Sequence, residues 1–372
     1  MNPLRVNPNS RPLLWSGGRV PRSNNLQVTY LIRHPTRGRM NATATVTNSG
    51  SIIKGEKMDF KYDPIPFIFA KGDPYTQLCV LELAGLSNTP FGNGLLLELL
   101  KTQNKDGGFP SKIDPNFSGV KETERIAFLF LRYGMPKDGL NLASCIKFVL
   151  KNQTGDGGFK ENPKLDIPEK IVELSNQKGV TWLTADIVDL LREMGLENTK
   201  VCQKGIHWLR KVEKFGGGWG LFENDEEIDP DSSAQITFLM KDLFGEEDPL
   251  YKRGIAFYEE HLTGVAKDAE TGFCFRKGEK EENDIYHLTH LLGQSFSFGK
   301  RNAEAGYDIK DQRVEKIVKA IIETQRKDGG WRPYWSGVSD PLYTGLVVKI
   351  FFWIGALQKE KIKTLIEKSI IS

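Results

Sequence analysis

Segments rich in apolar residues recur along the chain, and each has the length and spacing of a helix. Because apolar residues cover most of the circumference of each segment, these helices are predicted to be buried on most sides. They run over Asp73 to Leu86, Lys121 to Tyr133, Trp182 to Met194, Asp231 to Phe244, Asp284 to Ser297 and Asp340 to Ile354. The pattern therefore predicts six buried helices.

A glycine pair followed by an aromatic residue ends a helical pattern at four places. The four are Gly107-Gly108-Phe109, Gly157-Gly158-Phe159, Gly217-Gly218-Trp219 and Gly329-Gly330-Trp331, and all but the third follow a Gln-x-x-Asp sequence. Glycine is expected there because it tolerates the left-handed backbone that ends a helix. The unit repeats every ~50 to 60 residues, and a degenerate copy is expected around Thr271-Gly272-Phe273 in the longer last interval.

Alternation of buried helices with glycine-terminated ones predicts an all-α domain of about six helical hairpins over residues 61–372. The prediction is an (α/α)6 toroid, with the more apolar helices as an inner ring, and an open solenoid is the structural alternative. Residues 1–60 differ, because they contain two segments rich in valine, threonine and tyrosine that flank a Pro35/Gly38 turn. We predict an N-terminal extension there that includes a β-hairpin arm.

Composition excludes some classes of protein. Lysine plus arginine (51) nearly balance aspartate plus glutamate (48), so the net charge of +3 gives no reason to expect a nucleic-acid partner. The four cysteines contain no C-x-x-C pair, which favours reduced thiols and a cytoplasmic location. No segment has the length and apolar character of a membrane span, although contact with a membrane surface is compatible with the sequence.

The repeated Gln-x-x-Asp-Gly-Gly-aromatic units resemble the QW-type repeats of squalene and oxidosqualene cyclases. They are also similar to the repeats of protein prenyltransferase β subunits. The resemblance covers residues ~65 to 360 and implies the toroid fold, but the superfamily includes different reactions.

The sequence Asp229-Pro-Asp231-Ser232-Ser233-Ala234 resembles the Asp-x-Asp-Asp-Thr-Ala signature of class II terpenoid cyclases, which start their reaction by protonation. The resemblance implies that Asp231 is the general acid. Asp229, two residues away, would favour the protonated form of Asp231 by like-charge repulsion. Ser232 stands where many class II cyclases have a third aspartate. The alternative interpretation of Asp231 is a helix N-cap with no chemistry.

The sequence Asp284-Ile285-Tyr286-His287 resembles a segment of prenyltransferase β subunits in which the histidine binds zinc. This alternative implies a metal site of Asp229, Asp231 and His287, although an aspartate replaces the family's cysteine and zinc prefers the thiolate. His287 is also a candidate catalytic residue beside the two aspartates. His290, three residues further on, is a weaker candidate.

Aromatic residues at turn ends and early in the buried helices are candidates for substrate binding, because ring faces stabilise carbocations. They are Trp182, Trp219, Phe222, Tyr286, Trp331, Tyr334, Trp335 and Tyr343. Ordinary core packing is the alternative for each of them. The acidic loop from Glu223 to Glu227 is either a solvated surface or a magnesium site for a diphosphate.

These patterns predict a terpenoid cyclase that acts on a polyprenoid substrate and uses Asp231 as its acid. The alternatives are a prenyltransferase β-subunit-like protein that binds a prenyl diphosphate and metal, and a toroid that binds a hydrophobic ligand without catalysis. No cofactor is required by the cyclase hypothesis; magnesium is expected if the substrate is a diphosphate, and zinc in the prenyltransferase alternative. Class II cyclases place their site between two helical domains, so a homodimer or a partner subunit could close the cavity here.

Overall fold

The computed structural model describes residues 59–214, 216–271, 292–293, 298–333 and 336–371. The predicted β-hairpin arm lies outside the described residues, as does almost all of the predicted helix 284–297. The degenerate glycine turn predicted at residues 271–273 lies outside them beyond Thr271.

The described part of the chain is mainly α-helical, as the sequence predicts. The first helices are α1 (Ile65–Lys71), α2 (Pro74–Ala84), α3 (Pro90–Lys101), α4 (Val120–Arg132), α5 (Leu140–Leu150), α6 (Thr181–Glu193) and α7 (Lys200–Lys211). The others are α8 (Pro230–Phe244), α9 (Pro249–Thr271), α10 (Phe298–Glu304), α11 (Gln312–Glu323), α12 (Pro341–Trp353) and α13 (Lys359–Ile371). Two short antiparallel strands, β1 (Phe109–Pro110) and β2 (Ser118–Gly119), pair between α3 and α4.

Five of the six predicted buried helices are confirmed as α2, α4, α6, α8 and α12, each within two residues of its predicted bounds. Burial is most complete in α6, where every residue from Thr181 to Leu191 is buried. The helices between them are amphipathic, and α3, α5, α7 and α9 each pack against the buried helix that precedes them.

Contacts among the buried helices follow the chain and then return to its start. Helix α2 contacts α4, α4 contacts α6, and α6 contacts α8. Helix α8 contacts α10, α10 contacts α12, and α12 packs against α2. First and last buried helices are therefore neighbours.

A hydroxyl group in the fourth residue of a buried helix ties each glycine turn to that helix. Thr184 Oγ1 accepts the backbone N–H of Phe159 at 2.8 Å and donates to the carbonyl of Val180 at 2.7 Å. Thr123, Ser233 and Thr344 accept the backbone N–H of Phe109, Trp219 and Trp331 in the same way. The aromatic residue after each glycine pair is thus held at the start of the next buried helix.

The glutamine of the repeat joins its own turn to a second segment, which follows in the chain for Gln103 and Gln153 and is Tyr62, near the start of the described residues, for Gln325. Gln153 Nε2 donates to the carbonyls of Gly157 (3.0 Å) and Val201 (2.9 Å). Gln103 and Gln325 make the equivalent pair of bonds. Gly157 has φ +119°, and a Cβ atom there would lie 2.4 Å from the carbonyl oxygen of Lys204, so both conformation and space require glycine.

The cysteine prediction is met by the three thiols that the structure describes. Cys145 and Cys202 are buried and Cys79 is half-buried, and none of the three forms a disulfide. Burial raises the pKa of the Cys79 and Cys145 thiols to about 12, which makes them inert near neutral pH. None of the described helices combines the length and hydropathy that a membrane crossing requires.

Candidate functional site

The two aspartates of the predicted acid motif have different positions at the start of α8. Asp229 is the N-cap, because its backbone is extended and its side chain accepts the N–H of Ser232 at 2.8 Å. Asp231 lies inside the first turn and is only 9% exposed. The capping role that was the alternative for Asp231 therefore belongs to Asp229.

Asp231 lies on the side of α8 that carries Gln235, because residues four apart share a helix face. Gln235 Nε2 donates to Oδ1 of Asp186 at 2.5 Å and lies 3.4 Å from the carbonyl oxygen of Trp182. Trp182 and Asp186 are themselves four residues apart, on α6. The first turns of α6 and α8 thus carry Trp182 and Asp231, and the next turns carry the Asp186–Gln235 pair.

Among the predicted aromatic residues, Trp182 lies in the first turn of α6, and its backbone carbonyl faces Gln235 of α8. Its side chain is buried, and its indole Nε1 donates to the carbonyl of Glu173 at 3.0 Å. The Nζ atom of Lys121, in the first turn of α4, lies 5.8 Å from the centroid of its ring. A lysine, a tryptophan and an aspartate therefore occupy the first turns of α4, α6 and α8.

Two buried carboxyl groups that belong to no sequence motif lie one turn deeper. Asp186 is 6% exposed and Glu124 of α4 is 2% exposed. Burial raises the pKa of Asp186 to about 7 against the opposing effect of Arg125, and burial, followed by repulsion from Asp186, raises the pKa of Glu124. The Oε2 atom of Glu124 has no hydrogen-bond partner among the described residues. Burial thus favours the protonated form of both carboxyl groups, which is the form that a general acid requires.

Basic groups share this interior. Lys349 of α12 is 8% exposed, and burial lowers its pKa to about 8. Arg125, Asp186 and Glu124 all influence the charge state of Lys349, so side chains of α4, α6 and α12 lie within electrostatic range of one another. The interior between these helices therefore contains ionisable groups as well as the aromatic residues that the sequence indicated.

An ion-pair network lies further along the same helices. Arg301 of α10 pairs with Asp189 of α6 and Asp242 of α8, and Arg192 pairs with the same two aspartates. Arg301 is 8% exposed, so its charge depends on these partners for compensation. The network joins α6, α8 and α10 beyond the Asp186–Gln235 pair.

The other described aromatic candidates have packing contacts. Trp219 and Trp331 are fully buried, and their indoles donate to the carbonyls of Leu209 (2.7 Å) and Ile321 (2.8 Å). Tyr343 is buried in the first turn of α12, and Phe222 is half-buried with Lys178 Nζ 3.9 Å from its ring centroid. The contacts of the two tryptophans fit core packing, which was the alternative for each.

Several candidates fall outside the described residues: Tyr286, His287, His290, Tyr334 and Trp335. The metal set that includes His287 therefore stays a prediction. Within the described ranges, no group of three or more histidine, cysteine or acidic side chains is arranged to hold a metal. In the acidic loop, Glu223 pairs with Lys211 at 2.9 Å and Asp225 lies 3.8 Å from Lys178, which is the arrangement of a solvated surface.

Comparison with known proteins finds similarity of fold. Neither a protein-family model nor a curated protein sequence matches the chain. A solved protein from Actinoplanes matches with TM-score 0.51 and 15% identity, over 76% of this chain and 90% of that one. A variant of the type II terpene cyclase MstE from Scytonema, in complex with its substrate geranylgeranyl dihydroxybenzoate, has TM-score 0.50 and 14% identity, over 77% and 88% of the two chains. A novel alpha-amylase from Clostridium perfringens has TM-score 0.50 and 12% identity, over 76% and 85%.

Proposed function

We propose that the chain is an isoprenoid cyclase that starts its reaction by protonating a polyprenoid substrate, with Asp231 as the general acid. We further propose that its six helical hairpins close into an (α/α)6 toroid, with the substrate held among the buried helices. The return of the helix contacts from α12 to α2 supports closure.

The observation that carries the functional proposal is the position of Asp231. Its carboxyl group is buried in the first turn of α8, on the helix face that also carries Gln235 and hence approaches Trp182 and Asp186 of α6. A carboxyl group at a helix N-terminus gives up its proton readily, because the helix dipole stabilises the carboxylate that remains. The indole ring of Trp182, which lies in the first turn of the neighbouring helix α6, is proposed to stabilise the carbocation that forms.

The proposed reaction conserves atoms and electrons. Asp231 transfers a proton to a terminal alkene or epoxide, and the carbocation that results is attacked by the next double bond of the same chain. The last carbocation either loses a proton to a base or adds water, which then releases a proton to solvent, and neither ending involves net oxidation or reduction. The carboxylate of Asp231 then takes up a proton from solvent for the next turnover.

The fold supports this proposal without deciding it. One similar structure is a type II terpene cyclase and another is an alpha-amylase, so the same arrangement of helices serves unlike chemistry. The choice between reactions therefore depends on the site. Asp186 is the second carboxyl group suited to proton donation, since its pKa is raised to about 7.

The experiment measures conversion of polyprenyl alcohols, polyprenyl diphosphates and terminal epoxides by the wild type, Asp231→Asn and Asp186→Asn. Asp231→Asn should lower turnover at least ~100-fold, as expected for loss of a proton-transfer group. The exposed variant Asp138→Asn is the matched control and should keep wild-type turnover.

Wild-type turnover in Asp231→Asn would show that Asp231 is not the general acid. A large loss of turnover in Asp186→Asn alone would identify Asp186 as the general acid instead. If the wild type converts nothing in the panel, the cyclase proposal fails. Stoichiometric zinc in the purified protein would then favour the prenyltransferase β-subunit-like alternative. Absence of zinc would favour a toroid that binds a hydrophobic ligand without catalysis.

A further inference from the structure

Helix α5 borders a groove with an apolar floor. The groove has a volume of about 700 Å³ and lies between α5 and the segments that follow α4 and α6. Its apolar lining residues are Ala143, Ile146, Leu150, Met194 and Leu196. Leu140, one turn before Ala143 on the same face of α5, is 86% exposed. The described part of the chain therefore leaves this apolar face of α5 partly uncovered.

Lysine side chains border the same groove. Lys147 and Lys151 lie one turn apart on α5, and Lys137 precedes that helix; the lining contributes one carboxylate against them, that of Asp138. Lys137 Nζ donates to the carbonyl of Glu193 at 2.5 Å, whereas Lys147 and Lys151 form no ion pair with a residue that the structure describes. Like charges four residues apart on a helix repel each other. A partner that carries both apolar and acidic groups would cover the floor and relieve this repulsion.

The loop between α5 and α6 has the complementary character. It spans residues 161–175 and is closed at its base, where the backbone N–H of Glu161 donates to the carbonyl of Ser175 at 2.7 Å. Val172 in this loop is 58% exposed, and Asp166 and Glu169 are exposed as well. Neither carboxylate is in an ion pair with any part of the chain that the structure describes. The loop thus presents the apolar and acidic groups that would suit the groove.

The groove and the loop adjoin each other in one chain. The backbone N–H of Lys160 donates to the carbonyl of Asn152 at 3.2 Å, which places the base of the loop beside Lys151 at the end of the groove. Two copies related by a two-fold axis make every contact twice. A loop and a groove that lie side by side can therefore be exchanged between two copies, and the exchange closes a dimer.

We propose that the chain forms a symmetric dimer in which the α5–α6 loop of each copy docks on the α5 groove of the other. Val172 packs on the apolar floor, and Asp166 and Glu169 face Lys147 and Lys151. The apolar contact supplies most of the affinity, and the charges fix the orientation of the two copies. This inference goes beyond the proposed function and does not depend on it.

Sedimentation analysis of the full chain over a range of concentrations tests the inference. The wild type should form dimers as its concentration rises. Lys147→Glu/Lys151→Glu in the groove, or Asp166→Lys/Glu169→Lys in the loop, sets like charges against each other and should weaken dimerisation at least ~10-fold. All four side chains are exposed, so both variants should unfold at the wild-type temperature.

Mixing the two variants gives the sharpest result. The reversed groove of one variant then faces the reversed loop of the other, and the two unchanged surfaces also match. Equimolar mixture, with one variant carrying a fluorescent label, should restore dimerisation that neither variant shows alone. Lys101→Glu/Lys105→Glu reverses an exposed lysine pair four residues apart outside the groove and should dimerise like the wild type.

A wild type that stays monomeric up to ~100 µM would overturn the inference, because no dimer of useful affinity would then exist. Undiminished dimerisation in either variant, or no recovery on mixing, would show that the copies meet elsewhere. Vesicles that contain phosphatidylserine test another occupant. Monomeric wild type that binds them, with binding lost in Lys147→Glu/Lys151→Glu, would assign the groove to an anionic membrane surface instead.

Discussion

The side-chain amide of Gln235 lies 2.5 Å from Oδ1 of Asp186, and this hydrogen bond joins α8 to α6 one helical turn from Asp231. The amide is the donor, which makes Oδ1 the acceptor in either protonation state of the aspartate. When Asp186 is protonated, its proton therefore belongs on Oδ2. Gln235 is thus a positioning residue: it orients the carboxyl group of Asp186, and it lies on the same face of α8 as Asp231.

This buried carboxyl group should make stability depend on pH. The pKa of Asp186 rises from 3.8 to about 7 on folding, mainly through burial, so between these values the folded chain holds a proton that the unfolded chain has lost. The free energy of unfolding should therefore fall as pH rises from about 4 to 7, at up to ~1.4 kcal/mol per pH unit for each proton. Denaturant titrations at several pH values in this window measure the slope.

Asp186→Asn should flatten that slope, because its amide does not titrate. Some slope should remain, since the pKa of Glu124 is raised in the same direction. Asp138→Asn, at an exposed position, should leave the slope as it is. A slope that is the same in Asp186→Asn and wild type would show that Asp186 is ionised in the folded chain.

The glycine turns should tolerate no side chain at their first glycine. Gly157→Ala should destabilise the chain by about 1–3 kcal/mol from its left-handed backbone, and by more because the new Cβ would meet the carbonyl of Lys204. Gly155 is the control in the same loop, as its Cβ would meet nothing within 4 Å. Equal stability of the two alanine variants in thermal unfolding would contradict the structural role of the repeat.

Substitutions in the acid motif should separate capping from chemistry. Asp229→Ala should cost about 1 kcal/mol of stability through loss of the N-cap, whereas Asp229→Asn should cost little, because asparagine caps as well as aspartate. Asp231→Asn should leave thermal stability near that of the wild type. A stability loss in Asp231→Ala as large as in Asp229→Ala, with normal activity in both, would return Asp231 to a structural role.

The helices could be predicted from sequence because their signals are local. The Gln-x-x-Asp-Gly-Gly-aromatic units mark chain reversals that depend on glycine, and five buried helices followed from apolar composition alone. The site was harder. Asp231 was indicated by a motif, whereas Glu124 and Asp186 belong to no motif. Their pKa values are raised mainly by burial and, for Glu124, also by repulsion from Asp186 on a helix that is far away in sequence.

Arg125 shows a signal that sequence reasoning could have used. It and Glu124 are charged residues within a helix whose following positions, Ile126 to Phe130, are all buried. A charged pair in such a helix indicates either a paired core group or a functional interior, and only the tertiary structure shows that Asp186 of α6 lies within electrostatic range of both. The tryptophans illustrate the opposite case, because Trp219 and Trp331 carried a functional interpretation while their contacts are those of packing.

The most direct test of the account is the mass of product formed by the wild type in deuterated water from an alkene-terminated substrate that it converts, because an epoxide would take the deuterium on oxygen and lose it again. Protonation by Asp231, which exchanges its proton with solvent between turnovers, should place one carbon-bound deuterium in each product molecule, retained after washing with ordinary water. Asp231→Asn should form at least ~100-fold less of this product. A cyclised product that carries no carbon-bound deuterium would contradict the account, because the ring would then have formed without protonation of the substrate.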